Sequence, residues 1–267
     1  MQDDQNMQSR QSDPLETARA NALLATLGRA ERLVRGDALP PFFHQVYFWD
    51  PQGPEGLGRD GHPAVGAGLI PDMGLPRRMW AGGDLRFHAP LLAGVAAEKR
   101  SRRVSAVRKT GRSGPLALVT LEHEIWQDGS VCVTDRQDLI YRAEVVPGAP
   151  QPVPPKAPDA AVVTRDVRFD PTLLFRYSAL TFNGHRIHYD APYARDVEGY
   201  AGLVVHGPLL AQMMMLLIAE QGPLRRFAFR ATAPLTADEP AALCLSDARA
   251  WVRGAAGTQH MIAEYEV

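Results

Sequence analysis

The chain has 267 residues, 45% of them hydrophobic, with 29 Lys and Arg against 30 Asp and Glu and a formal net charge of −1. That balance argues against a protein held to nucleic acid or acidic membranes by bulk charge. Two cysteines, Cys132 and Cys244, exclude a disulfide framework or a Cys-rich metal site. At roughly 100–200 residues per domain, the length suits two modest domains or one large one.

The opening segment MQDDQNMQSRQSDPLE is polar and acidic, neither a secretory signal nor an Arg-rich transit peptide, so a cytoplasmic protein is expected. Asp13 as a cap, Pro14 in the first turn and Leu15, Leu23, Leu24, Leu27 and Leu33 near helical spacing predict a helix that Gly36 ends. Residues 51–76 hold seven Gly and five Pro and predict a long irregular loop. From Leu85 the pattern turns to strands. Val95–Lys109, Leu116–Gln127 and Val131–Arg142 read as an antiparallel meander, with turns at Gly111–Gly114 and Gln127–Ser130. Six Pro in residues 147–158 predict a stiff linker. The expected division is an N-terminal unit 1–146, a linker 147–160 and a C-terminal unit 161–267.

Beyond the linker a strand is predicted at Ala161–Phe169 and a helix at Pro208–Gln221. Leu209, Leu210, Met213, Met214, Met215, Leu216, Leu217 and Ile218 make that helix apolar nearly all round, so it must be enclosed. The greasy stretch Leu203–Ala219 falls short of the ~20 residues needed to span a bilayer. Both cysteines stand in alternating runs, where buried thiols are the ordinary reading and a reactive nucleophile the alternative. Two internal matches suggest a duplication. Leu85-Arg-Phe-His-Ala-Pro-Leu91 matches Phe229-Arg-Ala-Thr-Ala-Pro-Leu235 at an offset of 144, and Glu122-His-Glu-Ile125 resembles Glu264-Tyr-Glu-Val267 at 142. An antiparallel sheet curled around one long helix, repeated twice, would satisfy the pattern and hide sheet edges.

The densest polar cluster is Thr181-Phe-Asn-Gly-His-Arg-Ile-His-Tyr-Asp190, placed between a strand-like run and a helix start. Asp190 can cap that start, with Pro192 in its first turn, or act as an acid. His188 can be a surface histidine or a proton carrier, since a free imidazole titrates near ~6.5. His185 and His188 form H-x-x-H, but no third ligand stands at a helpful spacing, so no metal is expected. Arg186 can pair with a substrate carboxylate or phosphate, or with Asp190 or Asp196. Further on, Val205-His206-Gly207-Pro208 opens the apolar helix. Gly207 is either an ordinary helix start or an amide donor for a developing oxyanion, because first-turn N–H groups lack intrahelical partners.

Asn183-Gly-His-Arg-Ile-His188-Tyr-Asp190, followed by Val205-His206-Gly207, resembles the MaoC-like hot-dog hydratases and dehydratases. Their motif is Asp-x-Asn-Pro-(Ile/Leu/Val)-His, with a His-Gly pair opening the central helix. Arg176–Asp190 is similar to the branch of type-2 hydroxyacyl-thioester dehydratase and the mesaconyl-C4-CoA and itaconyl-CoA hydratases. Leu75–Leu92 and Lys109–Leu116 resemble that branch's N-terminal repeat. The resemblance covers roughly residues 15–267.

It implies an α+β double hot-dog: two antiparallel sheets, each wrapping a central helix. It also implies reversible hydration of the α,β double bond of an acyl-CoA thioester, with no metal or redox cofactor. The catalytic His falls on His188 and the oxyanion Gly on Gly207. The family's Asp falls on Asn183 and its Asn on His185. An Asn cannot take a proton, so His188 is expected to move protons while Asn183 orients the water. His185, Arg186 and His206 are the expected substrate contacts. Surface Arg or Lys such as Arg86 or Arg112 would hold the CoA phosphates, and loop 51–76 would form a lid over the acyl pocket.

One site per chain is expected, since the first half has no counterpart of H-x-x-H. A short branched dicarboxylic substrate, itaconyl-CoA or mesaconyl-C4-CoA going to citramalyl-CoA, is the first reading. A fatty-acid type 3-hydroxyacyl-thioester dehydratase is the second. A hot-dog thioesterase is disfavoured because hydrolysis wants a carboxylate where Asn183 stands, and a non-catalytic acyl-CoA binding protein is the remaining class. Neither nucleic acid nor membrane is an expected partner, and a homodimer or higher homo-oligomer is compatible with the sequence.

Overall fold

The computed structural model describes residues 8–66, 68–111, 114–144 and 153–267. Ten strands form one antiparallel sheet: β1 Gln8–Asp13, β2 Arg77–Phe87, β3 Ala97–Gly111, β4 Gly114–Gln127, β5 Ser130–Arg142, β6 Val163–Val167, β7 Arg226–Ala231, β8 Ala241–Ser246, β9 Arg249–Gly254 and β10 Gln259–Glu266. Their order is β1-β3-β4-β5-β2-β7-β10-β9-β8-β6. Read inward from either edge, each half runs first, third, fourth, fifth, second strand. This is the expected α+β double hot-dog, and the two units share one continuous sheet through β2 and β7.

The 144-residue match falls on β2 and β7, which correspond in this order. The 142-residue match does not: Glu122–Ile125 lies on β4, whereas Glu264–Val267 follows the course of β10, the counterpart of β5. It is a coincidence of alternating composition. At the junction Gly82 pairs with Arg230, and a Cβ on Gly82 would stand 2.5 Å from the Phe229 carbonyl oxygen. Arg226 Nη2 donates to Asp84 Oδ2 at 2.7 Å across the same seam.

Helix α3, Gly207–Ala219, fills the second half. Nine of its residues are buried, from Leu209 to Ile218, and the core it joins also contains Phe42, Phe43 and Val46 of the first half. The enclosure demanded by an all-apolar helix is thus met by both halves. Its one internal polar residue, Gln212, donates to the Pro41 carbonyl at 2.8 Å. In the first half the helix α1, Thr17–Thr26, is ten residues long, and the described residues of 27–76 contribute only 3₁₀ turns and irregular chain.

Three expectations about elements need correction. The helix expected from Asp13 to Gly36 is shorter and starts later, because Asp13 ends β1 and its carboxylate accepts the Leu15 and Phe48 N–H groups. The polar N-terminal stretch supplies an edge strand from Gln8, held by register with β3 rather than by its own pattern. The run before the polar cluster is a helix, α2 Pro171–Thr181, started by Asp170 accepting the Leu173 N–H at 2.8 Å with Pro171 at its first position. The described part of the Pro-rich stretch is pinned to the second half, where Gln259 N donates to the Pro155 carbonyl and Ala157 N to that of Gly257. Both cysteines are buried, and burial raises both thiols, which keeps them protonated. Among the described residues no helix is long and apolar enough to cross a membrane.

Candidate active site

Helix α2 ends at Phe182, whose φ of 51° turns the chain, and Asn183 N closes the end on the Ser178 carbonyl. The Asn183 Oδ1 then accepts the His185 N–H at 3.0 Å. This Asx turn starts a 3₁₀ turn, Arg186–His188. Val204 N donates to the Ile187 carbonyl at 2.9 Å, and His188 Nδ1 bonds the Val204 carbonyl at 2.7 Å. The motif and the approach to α3 are therefore stitched together by two bonds running in opposite directions.

That second bond fixes the chemistry of His188. A carbonyl only accepts, so Nδ1 carries the proton and Nε2 is left with its lone pair. Burial, with His185 nearby, pushes the pKa of His188 down to about 3, which keeps the ring neutral. The ring lies face to face with His206 at 3.6 Å between centroids. His206 caps the N-terminus of α3, is fully buried and bonds the Ser178 hydroxyl through Nε2 at 2.8 Å. The next residue is Gly207, the first of α3, whose N–H has no intrahelical partner. A Cβ there would meet only Met261 Cε and the Trp80 carbonyl oxygen, each at 3.9 Å. A neutral base and a free helix-tip amide thus share one corner, the pair of groups that proton abstraction and oxyanion stabilisation require.

Loop 51–76 completes this corner. Arg186 N donates to the Asp60 carbonyl at 2.8 Å and Arg186 Nη1 to that of Arg59 at 3.2 Å. Gly61 (φ +85°) and Gly184 meet backbone to backbone: a Cβ on Gly61 would stand 2.1 Å from the Gly184 oxygen. Asp60 accepts from His62 N and bonds His62 Nδ1, each at 3.1 Å. The His62 ring packs on His185 at 4.2 Å, and His185 meets His188 edge-on at 5.3 Å. Burial would raise the Asp60 carboxyl, but its bonds to His62 outweigh that and hold it at about 2. Burial, His62 and Arg78 push His185 down to about 3.

The sequence-predicted residues sort themselves on this frame. His188, His206 and Gly207 come together. Asn183 lines the adjoining cavity, but its Oδ1 is committed to the turn, leaving Nδ2 to donate. His185 is buried against His62, not paired with His188 as metal ligands would be. With Asp60 and His62 it forms a group of three whose ligand atoms all lie within 4.8 Å of one another, two neighbours that spacing did not reveal. Of the roles open to Arg186 the structure shows the pairing with Asp190, at 2.7 Å, together with a stack over Tyr193 at 4.0 Å. Asp190 Oδ1 accepts the Tyr193 N–H, which is a capping role. His206 is too deeply buried to touch substrate in this state and instead backs the His188 ring. Arg86 is exposed beside Asp84, and Arg112 lies outside the described residues. Asp60, His62 and Ser178 were missed, because nothing in their local sequence marks them and loop and motif are joined only by tertiary contact.

A cavity of about 540 Å3 adjoins the corner, lined by Trp49, Gly61 and Pro63 from the first half and by Ser178, Phe182, Asn183 and Gly184 from the second. Its wall includes Ser178, whose hydroxyl bonds His206 Nε2, and Gly61 and Pro63 of loop 51–76. A smaller cavity of about 240 Å3 sits in the first half beside His44, Lys99, His123 and Asp135. There the buried Asp135 accepts from Gln45 and Gln137 and faces His44 Nε2 at 3.3 Å.

Two outcomes follow from these contacts. Gly61→Ala is expected to undock the loop, since neither the φ nor the space admits a methyl. Turnover should fall roughly 10- to 100-fold by misplacement, and limited proteolysis should cut faster within 51–76; unchanged cleavage would count against a docked lid. Acid should also unfold the protein early. Burial depresses His62, His123, His185, His188 and His206. Their folded pKa values lie below the unfolded value of about 6.5, so the unfolded chain binds more protons as pH falls through that value. The Tm should be level above about pH 7 and fall progressively from about 6.5 downwards, and His123→Gln should flatten part of that slope. A Tm that is level down to pH 5 would refute this.

Comparisons with known proteins identify the family. The family profile described as hydroxyacyl-thioester dehydratase type 2 matches residues 42–237. A mesaconyl-C4-CoA hydratase of Chloroflexus aurantiacus is 47% identical over 232 residues, covering 84% of this chain and 80% of that protein. The crystal structure of HtdX from Mycobacterium tuberculosis superposes with a TM-score of 0.69 at 20% identity, covering 97% and 98% of the two chains. A second M. tuberculosis structure, described as a double hot-dog fold, gives 0.59 at 15% identity over 98% and 96%. The likeness to these structures concerns the fold, whereas the profile and the identity to the hydratase reach the motif itself, so this chain belongs to the hydroxyacyl-thioester dehydratase type 2 family and is a hydro-lyase.

Proposed function

We propose that the protein reversibly hydrates the double bond of a short branched dicarboxylic acyl-CoA thioester, mesaconyl-C4-CoA or itaconyl-CoA, to give citramalyl-CoA. The observation that carries this reading is the His188 imidazole, held neutral with Nε2 bare and stacked at 3.6 Å on His206, the residue that precedes Gly207 at the tip of α3. The 47% identity to a mesaconyl-C4-CoA hydratase supports the choice of acyl group.

For mesaconyl-C4-CoA, whose double bond is α,β to the thioester, the steps balance without a redox or metal cofactor; in itaconyl-CoA the double bond is β,γ, so a proton must first leave the α-carbon and another join the γ-carbon. His188 Nε2 takes a proton from water as its oxygen bonds to the β-carbon. The double-bond electrons move to the thioester oxygen, where the Gly207 N–H stabilises the enolate. The enolate collapses and the proton passes from His188 to the α-carbon. Asn183 donates through Nδ2 to the water oxygen and so orients it. Asp60 fixes the His62 tautomer, and the pair holds His185 against the His188 ring.

A second reading, a dehydratase of straight-chain 3-hydroxyacyl thioesters, is favoured by one feature: Trp49, Leu57, Phe175 and Phe182 give the cavity an apolar wall. A spectrophotometric hydration assay across crotonyl-, itaconyl- and mesaconyl-C4-CoA separates the two. Preference for a dicarboxylic ester is the expected result, and preference for crotonyl-CoA would overturn the first reading.

A further inference from the structure

A buried guanidinium without a counter-ion stands beside the histidine corner. Arg78, on β2, is 9% exposed. Its Nη1 is shut away from solvent with no hydrogen-bond partner, and its Nη2 makes a long bond of 3.4 Å to the Pro63 carbonyl. Its cross-strand neighbour Tyr141 is hydrogen-bonded to the guanidinium, but burial keeps that phenol neutral, so it brings no counter-charge. Among the described residues no carboxylate lies within ion-pair distance of Arg78, whereas the adjacent Arg77 has Glu198 at 2.8 Å. An unpaired buried cation is strongly unfavourable, and an arginine cannot escape by losing its proton.

Its place relates it to the reaction. Its charge reaches His62 and His185, where it depresses both imidazoles. Two residues further along β2, the Trp80 carbonyl lies 3.9 Å from the Gly207 Cβ position. Arg78 therefore stands on the strand that passes the helix tip. Pro63, whose carbonyl now occupies Nη2, lines the cavity and belongs to the loop that Gly61 docks. That oxygen stands where an oxygen of a ligand carboxylate would stand once the loop has opened and admitted it.

We propose that Arg78 binds the distal carboxylate of the acyl group and thereby sets the specificity of the site for dicarboxylic thioesters. The inference rests on the hydratase reading and deepens it. Arg78 is a specificity residue here, and the missing counter-ion arrives with the substrate.

The test compares mesaconyl-C4-CoA with 3-methylcrotonyl-CoA, in which a methyl replaces the carboxylate, on wild type, Arg78→Met and Arg78→Lys. The wild-type preference for the diacid, as a ratio of kcat/KM values, should collapse by about a hundredfold or more in Arg78→Met. Arg78→Lys should retain part of it. The Tm of Arg78→Met should be unchanged or higher, because methionine replaces an unpaired buried charge. An equal loss on both esters, or an unchanged ratio, overturns the role of Arg78 while leaving the hydratase reading standing. Wild-type protein that hydrates neither ester overturns that reading, and this inference falls with it.

Discussion

Replacing His188 by alanine is expected to lower kcat by about 10²–10⁴-fold, the range lost when a positioned general base is removed. The reason lies in the geometry of one ring. Its Nδ1 proton is spent on the Val204 carbonyl, and its Nε2 has no protein partner among the described residues. His206 stacks behind it at 3.6 Å and fixes its plane. No other group of the corner can replace it: Asn183 has no basic atom, and His185 and His62 are turned towards each other. Because alanine also leaves a buried hole, His188→Gln serves as the second variant and keeps most of the volume. CoA binding, measured by calorimetry, should survive in both, since the ring lies beyond the wall of the cavity. Retained turnover in both variants would remove the proposed base and leave a binding protein.

Gly207→Pro is expected to cost about 10²–10³-fold in kcat, the loss associated with one oxyanion donor. Proline deletes the N–H, yet it is at home in the first turn of a helix, and His206 already has the extended conformation that proline demands of its predecessor (φ −59°, ψ 129°). Gly207→Ala is the matched control. Its methyl would make only ordinary contacts at 3.9 Å and its N–H remains, so it should fold and keep activity within about tenfold. The difference between the two variants isolates the amide from the space around it. Equal activity in both would show that the tip of α3 is only a helix start.

The two substitutions also divide the site into what sequence exposes and what it hides. His188 and Gly207 were legible because each belongs to a short, locally folded pattern: a turn begun by Asn183, and a Gly-Pro helix opening. The strands β3, β4 and β5 were legible for the same reason, since alternation and Gly-containing turns are local signals. Helix α2 was not, although Asp170-Pro171 is a start signal, because its apolar residues also fit a strand-like run. The partner of Arg186 stayed open between a ligand, Asp190 and Asp196, because only the backbone path decides that Asp190, one turn away, meets it.

The sequence by itself determined the buried helix and the matching β2 and β7 segments, and it singled out His188 and Gly207, all of which depend on residues within a turn or a strand of each other. Only the tertiary structure decided that Asp60 and His62 stand against His185, that Ser178 holds His206, and that Arg78 is buried without an anion. Those facts depend on a loop more than 120 residues from the motif docking through Gly61 and Gly184, and on β2 joining β7 at the centre of the sheet. Charge pairing and burial are properties of neighbours in space, and composition carries no record of which distant segments will become neighbours.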